Sequence, residues 1–345
     1  MSFTQLDQSD FVVSNDSVTA PAWSTNAPTL TSFNTLNGNA TGSYYIDVYQ
    51  QNSTGSAAAV QFSIAYGHIY GSGSVPLNPL VPQNTPTRIT FGQYRNLIYG
   101  DAESNVNFGS GATASLDLIA IPIDRNRYKG SLFPGTFNLR LRHAQFNQPL
   151  QLTDNSNDVS TITYLDCGRA FNIISGSNGT AAGSPLISGA PAKGYTPSGS
   201  YGLFLPDIGL ILLNPLALSL PTGSLGGGLG VTWSSATTVN GLNNAKTFEL
   251  INSGSSFSLN SQEQISSDYV FVRVRNSEYN YTSNPSMINI SGSLIYPNFI
   301  NSPQTYVTTV GLYNTNNDLL AVAKLSKPLV KDFTKEALVR VKLDW

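Results

Sequence analysis

Cysteine is almost missing: Cys167 is the only one in 345 residues. A single thiol makes no intrachain disulfide, so a small fold stapled by bridges is excluded. Histidine is nearly as scarce, with only His68 and His143. Together with Cys167 they make three soft ligands, short of the four that a structural zinc site takes. Two isolated imidazoles also leave little room for a nucleophile–base–acid triad, and no G-x-S-x-G elbow occurs. Cys167 sits in Leu165-Asp166-Cys167-Gly168-Arg169 without a neighbouring base.

Charge is the third shortage. Charged residues make up 11% of the chain, against the usual quarter. The net charge of −2 gives no global attraction to nucleic acid. Glu, Lys, Arg and Ala are too sparse for long amphipathic helices. A secretory leader is not expected from MSFTQLDQSDF, which has neither a basic start nor an apolar run. One stretch is apolar enough to raise the question of a membrane span: YGLFLPDIGLILLNPLALSL, from Tyr201 to Leu220. Pro206, Asp207, Asn214 and Pro215 break it as a helix. It reads as two buried strands, around Gly202–Leu205 and Ile208–Leu213, and no membrane partner is expected.

What fills the chain instead is polar and turn-forming. There are 33 Asn against 18 Lys plus Arg, with 30 Gly, 19 Pro and 10% aromatics. This composition predicts a mainly β protein: antiparallel sheets or sandwiches, long Gly/Ser/Asn-rich loops and little helix. Four regions are expected. Residues 1–40 form a polar N-terminal arm, either extended or loose. Residues 41–175 form a β-rich domain with strands at Ser43–Tyr49, Val60–Tyr66, Thr87–Tyr99, Leu116–Ile123, Phe137–Arg142, Thr161–Leu165 and Arg169–Ile174. Residues 176–265 form a loop-rich insertion around the apolar segment. Residues 266–345 form a C-terminal β module. There Tyr306–Tyr313 and Leu319–Leu325 flank Asn314–Asp318 as a hairpin. Val339, Val341, Leu343 and Trp345 then alternate with polar or exposed positions, the period of a strand with one buried face. A short strand is expected at Ile288–Ile290.

No motif for chemistry emerges. Gly226-Gly227-Gly228 is not followed by the Lys of a phosphate loop. Asp154-Asn155-Ser156-Asn157-Asp158 lacks the Gly and terminal Glu of a calcium loop, so a turn is expected. No cofactor, metal site or catalytic residue is therefore assigned, and the chain is not expected to be an enzyme. Basic residues do cluster. One group is Arg125, Arg127, Lys129, Arg140 and Arg142. A second is Lys324, Lys327, Lys331, Lys335, Arg340 and Lys342, a third of all the basic residues. Acids lie close by, so a polar protein contact is the better reading than nucleic-acid binding. With Arg273 and Arg275, the second group forms the candidate interface.

The C-terminal third carries a resemblance as well. Its residues are Tyr269-Val270-Phe271-Val272-Arg273-Val274-Arg275-Asn276 with Tyr279-Asn280-Tyr281, then Thr305 to Asn314, then Leu320 to the end. Phe91-Gly92-Gln93-Tyr94-Arg95 and Tyr201–Asp207 belong to the same pattern. This resembles structural proteins of contractile-tailed bacteriophages, especially T4-like marine phages of cyanobacteria. The resemblance implies a virion component made in the host cytoplasm, contacting other virion proteins and present in repeated copies or as a homo-oligomer. A tail or baseplate place is expected first, then a neck, collar or capsid-decoration role. A tail-associated glycan-degrading enzyme or a receptor-binding adhesin is the alternative.

Overall fold

The computed structural model describes residues 4–344 except 36–43, 79, 82–83, 109–113, 146–147, 184–186 and 282–283. Trp345, expected to close the last strand, lies outside the described residues, as does the start of the strand expected at Ser43–Tyr49. The fold is mainly β, as its composition predicts. Contacts divide the chain into two units. One holds residues 1–17 and 264–345, here the terminal unit; the other holds 18–263, here the central unit.

The central unit is built on one long antiparallel sheet. Its strand order runs Thr29–Leu30, Ser256–Ser258, Asn138–Leu141, Leu150–Asp154, Gly168–Ser177, Gly202–Leu205, Leu210–Leu213, Asp117–Pro122, Val60–His68, Ile46–Tyr49 and Asn34–Thr35. The two end strands are only a few residues apart in sequence. Four residues of chain reach at most about 14 Å. Eleven strands laid flat would span about 48 Å. The sheet therefore curls back on itself. The helix Leu242–Gly254 touches Asn138–Leu141 from one half of the order and Val60–His68 and Ile46–Tyr49 from the other, as a closing sheet requires.

Curling gives the sheet two buried faces. Ile119, Ile121, Phe204, Ile211 and Leu213 point into one core, with Trp23, Phe62, Phe137 and Phe257. Phe257 lies edge-on to Trp23 at 4.8 Å, Phe62 at 5.4 Å and Phe137 at 5.9 Å. The alternate residues Leu118, Ala120, Leu203, Leu205, Leu210 and Leu212 point the other way, onto Phe91 and Ile98. That explains the apolar run: a strand covered on both sides has no polar face to show. Gly202–Leu205 pairs with Leu210–Leu213 as a hairpin across Pro206 and Asp207. No helix among the described residues is long and apolar enough to cross a membrane.

Thr87–Tyr99 corrects the sequence reading. It is not a strand but part of the helix Pro86–Tyr99. The Thr85 hydroxyl accepts from the Arg88 N–H, Pro86 opens the first turn, and Gly100 closes the helix at φ 69°. Thr87, Phe91 and Ile98 are buried and Tyr94 is partly so, a spacing of 4, 3 and 4. The β-branched and aromatic content hides this period. The second long helix, Leu242–Gly254, falls in the segment expected to be loop-rich. Gly254 is there because the Arg140 carbonyl would lie 1.7 Å from any added Cβ.

In the terminal unit the strand Asn260–Val274 carries Ala337–Asp344 on one side, antiparallel from Ser267↔Asp344 to Val274↔Ala337. Phe11–Pro21 lies on its other side. Part of the polar arm is thus a strand. Thr305–Tyr313 and Leu319–Lys331 form the expected hairpin as a separate two-stranded sheet. The Asn314 side chain accepts from the Asp318 N–H and fixes its turn. Val310, Leu312, Ala323, Leu325 and Leu329 of the hairpin meet Val270, Val339 and Val341 of the three-stranded sheet. Ile288–Ile290 is not a strand: Ile288 makes one isolated bridge, to Leu294.

Candidate protein interface

The eight candidate cations fall into different environments. Lys331 does not belong to a surface at all. It is fully buried, and its three N–H bonds go to the Asn276 carbonyl (2.9 Å), Asn280 Oδ1 (2.9 Å) and the Asp332 carbonyl (2.8 Å). It ties the turn after Asn260–Val274 to the base of the hairpin. A buried ammonium is tolerated when every proton is spent this way. The partners stand 51 and 55 positions away in sequence, which is why pattern reading placed Lys331 with its exposed neighbours.

The other seven are exposed, and three of them are neutralised by carboxylates. Arg273 pairs with Glu336 at 2.8 Å, Lys342 with Asp344 at 2.8 Å and Lys335 with Asp332 at 3.3 Å. Each carboxylate is held below its ordinary range. The hydrogen bond from Arg273 does this for Glu336, and that from Lys342 for Asp344. For Asp332 it is chiefly Thr334, by side chain and backbone. Arg340 lies 5.4 Å from the centre of the Tyr269 ring. Among the described residues Lys324, Lys327 and Arg275 form no ion pair. Arg340, Lys342 and Arg273 share one face of the sheet, opposite the valines, because Arg340 faces Phe271 and Lys342 faces Tyr269. Paired cations on a tyrosine-bearing sheet suit recognition of a protein better than a phosphate backbone.

A larger feature surrounds them. From Arg275 to Val330 no described residue is buried. Ile290, Ile300, Tyr296, Tyr306, Leu320 and Val322 are all more than half exposed. Residues 279–317 contain no charged side chain. Such a stretch is not rare here, since 208–245 is another. But 208–245 begins with the mid-sheet strand Leu210–Leu213, whereas 279–317 lies at the surface. Exposed apolar area rimmed by polar groups and depleted of charge is the signature of a contact surface. The signal was in the sequence as a missing charge, and a search for clustered cations passes over it.

The remaining candidates for chemistry are occupied by structure. His68 Nδ1 accepts from the Tyr70 and Ser72 N–H groups, and burial lowers its pKa. His143 Nδ1 accepts from the Gln145 N–H. Burial raises the Cys167 thiol, which disfavours a thiolate. The Gly226 and Gly227 N–H groups donate to the Gly223 carbonyl and that of Gly228 to Pro221, which leaves no cradle for a phosphate. Asp154 is buried and accepts from the Gly135 and Ser156 N–H groups, and Asp158 accepts from that of Ala181. The segment is therefore a set of turn caps. Arg125 donates to the Tyr128 carbonyl and stacks on its ring, and Lys129 pairs with Glu263. Among the described residues no three His, Cys, Asp or Glu side chains are grouped to hold a metal. Asp117, raised by burial and receiving the Tyr66 hydroxyl at 3.0 Å, is a buried polar pair in the central unit.

Comparison with protein-family models, curated proteins and solved structures gave no match to this chain.

Proposed function

We propose that this chain is a structural subunit of a tailed-bacteriophage particle, placed in the tail or baseplate region and working through protein–protein contacts rather than catalysis. The observation that carries the reading is the unburied stretch from Arg275 to Val330. A protein that offers this much apolar surface around a stretch without charge, residues 279–317, is completed by other chains. The direction toward a virion comes from the resemblance of Tyr269–Asn276, Thr305–Asn314 and the residues after Leu320. In this proposal the partners are other virion proteins and further copies of the same chain. Mass spectrometry and a reconstruction of purified particles test it. The expected result is the chain in repeated copies at a fixed place in the tail. Its absence from purified virions overturns the reading, and polysaccharide turnover abolished by changing one Asp or Glu would replace it with an enzyme.

A further inference from the structure

The sheet built on Asn260–Val274, which also takes the short strand Ser131–Leu132 beside Ser261 and Gln262, ends in Phe11–Pro21 and Ala337–Asp344. Among the described residues neither pairs further, and the two edges differ in charge. One edge is Phe11–Pro21, whose neighbour is Asn260–Val274. Phe11, Val12 and Val13 are 47%, 48% and 66% exposed. This strand and the residue before it carry Asp10 and Asp16 and no Lys or Arg. The other edge is Ala337–Asp344, whose exposed face carries Arg340, Lys342 and Asp344, the last two paired, which leaves one net positive charge. Long edge strands normally bear Lys, Pro or a bulge that blocks further pairing. Phe11–Pro21 has Pro only at its last position.

Strand parity decides how the two edges fit. On Phe11–Pro21 the odd positions Phe11 and Val13 share one face and the even position Asp16 lies on the other. On Ala337–Asp344 the odd positions Val339 and Val341 are buried and the even positions Arg340 and Lys342 are exposed. Placed side by side, Phe11 and Val13 continue the valine face beneath the hairpin. Asp16 then joins the face of Arg340 and Lys342. Within one chain that face already feels Asp16, since Lys342 is raised chiefly by Asp344 and in part by Asp16.

We infer that a second copy of this chain adds its strand Phe11–Pro21 to the free edge of Ala337–Asp344, so that one sheet runs head to tail through successive copies. The contact joins unlike edges, so it repeats and builds a ring or a filament. It deepens the proposal that the terminal unit is completed by other chains and rests on it. The place in a virion is read separately, from purified particles, so failure of one leaves the other readable.

The test uses the full chain and three exposed residues. Sedimentation and native mass spectrometry should find wild type in species larger than a dimer at micromolar concentration. D16K spoils the donor edge, and R340E with K342E spoils the acceptor edge. Each alone should weaken association at least tenfold, with an unchanged far-UV circular dichroism spectrum. Mixed in equal amounts, unlike variants bring opposite charges together at every contact, while contacts between like variants stay repulsive. The mixture should therefore regain species larger than a dimer. V13K on the same strand should also dissociate the assembly, and it serves if the charge reversals alter the fold. A wild type that stays monomeric, variants that assemble normally, or a mixture that stays monomeric overturns the inference.

Discussion

Among the described residues the central unit buries 46 apolar residues and the terminal unit five. The five are Val270, Val274, Ala337, Val339 and Val341, none larger than valine, while the central unit buries Trp23, Phe62, Phe137, Phe204 and Phe257 completely. Both units are rich in Asn, and the terminal unit is the more charged, with 17 charged residues in 99 against 21 in 246. The difference lies in what closes each sheet. In the central unit the sheet curls and gains a helix on its second face, so that both faces of its middle strands are buried. In the terminal unit a three-stranded sheet meets a lone hairpin whose outer face carries Tyr306, Leu319, Leu320 and Val322 into solvent. A two-stranded sheet is marginal by itself. A shortage of charge therefore does not account for the thin core of the terminal unit; topology does.

Breaking the comparison is easiest in the central unit. Phe257→Ala removes a ring packed on Trp23, Phe62 and Phe137. It should cost about 3–5 kcal/mol, read as a lowered denaturant midpoint of that unit. Gly254→Val should be comparably damaging, because its side chain would collide with the Arg140 carbonyl. Next in size is Lys331→Met. It leaves the Asn276 and Asp332 carbonyls and the Asn280 amide oxygen without their donor. A loss of about 2–4 kcal/mol is expected in the terminal unit alone. Limited proteolysis should then cut between residues 276 and 335 while the central unit stays intact.

Acid weighs on the two units unequally. In the central unit Asp101 and Asp207 are lowered but Asp117 and Asp154 are raised, whereas the shifted carboxylates of the terminal unit are all lowered. Asp332, Glu336 and Asp344 have lowered pKa values in the terminal unit. Their contribution is present above their unfolded values of 3.8 to 4.5 and is lost as pH falls through the folded ones. Asp117 and Asp154 in the central unit are raised by burial. There the folded form takes up its proton first, so falling pH stabilises it until 3.8 is reached. Lowering pH from 7 to about 3 should melt the terminal unit first, followed by site-resolved hydrogen exchange. The smallest effect sharpens the comparison most. Tyr306→Ala and Leu320→Ser, both on the outer hairpin face, should change the stability of the isolated chain by less than about 0.5 kcal/mol. The same changes should reduce incorporation into particles. A large loss of stability in the isolated chain would mean these side chains are already packed.

Much of the fold was legible where one face of a strand is buried, as at Val339 and Val341, or where both are, as in Gly202–Leu213. The hairpin Thr305–Lys331 was legible from its Asn-rich turn. Pro86–Tyr99 was misread because β-branched and aromatic residues carry its helical period, and only Thr85, Pro86 and Gly100 mark its ends. Leu242–Gly254 buries Asn243, Asn244 and Thr247 along with Leu250 and Ile251, so no clean apolar stripe announces it. At the candidate interface the clustered cations were visible, but their pairing to Glu336, Asp344 and Asp332 was not. Burial of Lys331 depends on contacts more than 50 residues away. The apolar surface escaped notice because exposure is a property of the folded sheet, not of the residues in it.

Hydrogen exchange on the full chain, dilute and then assembled, tests the central claim most directly. Dilute chain should protect the amides of Gly202–Leu205, Leu210–Leu213 and Asp117–Pro122 for long times. Those of Thr305–Tyr313 and Leu319–Lys331 should exchange quickly and become protected on assembly. Equal, assembly-independent protection of the hairpin and the central sheet in the dilute chain would contradict it.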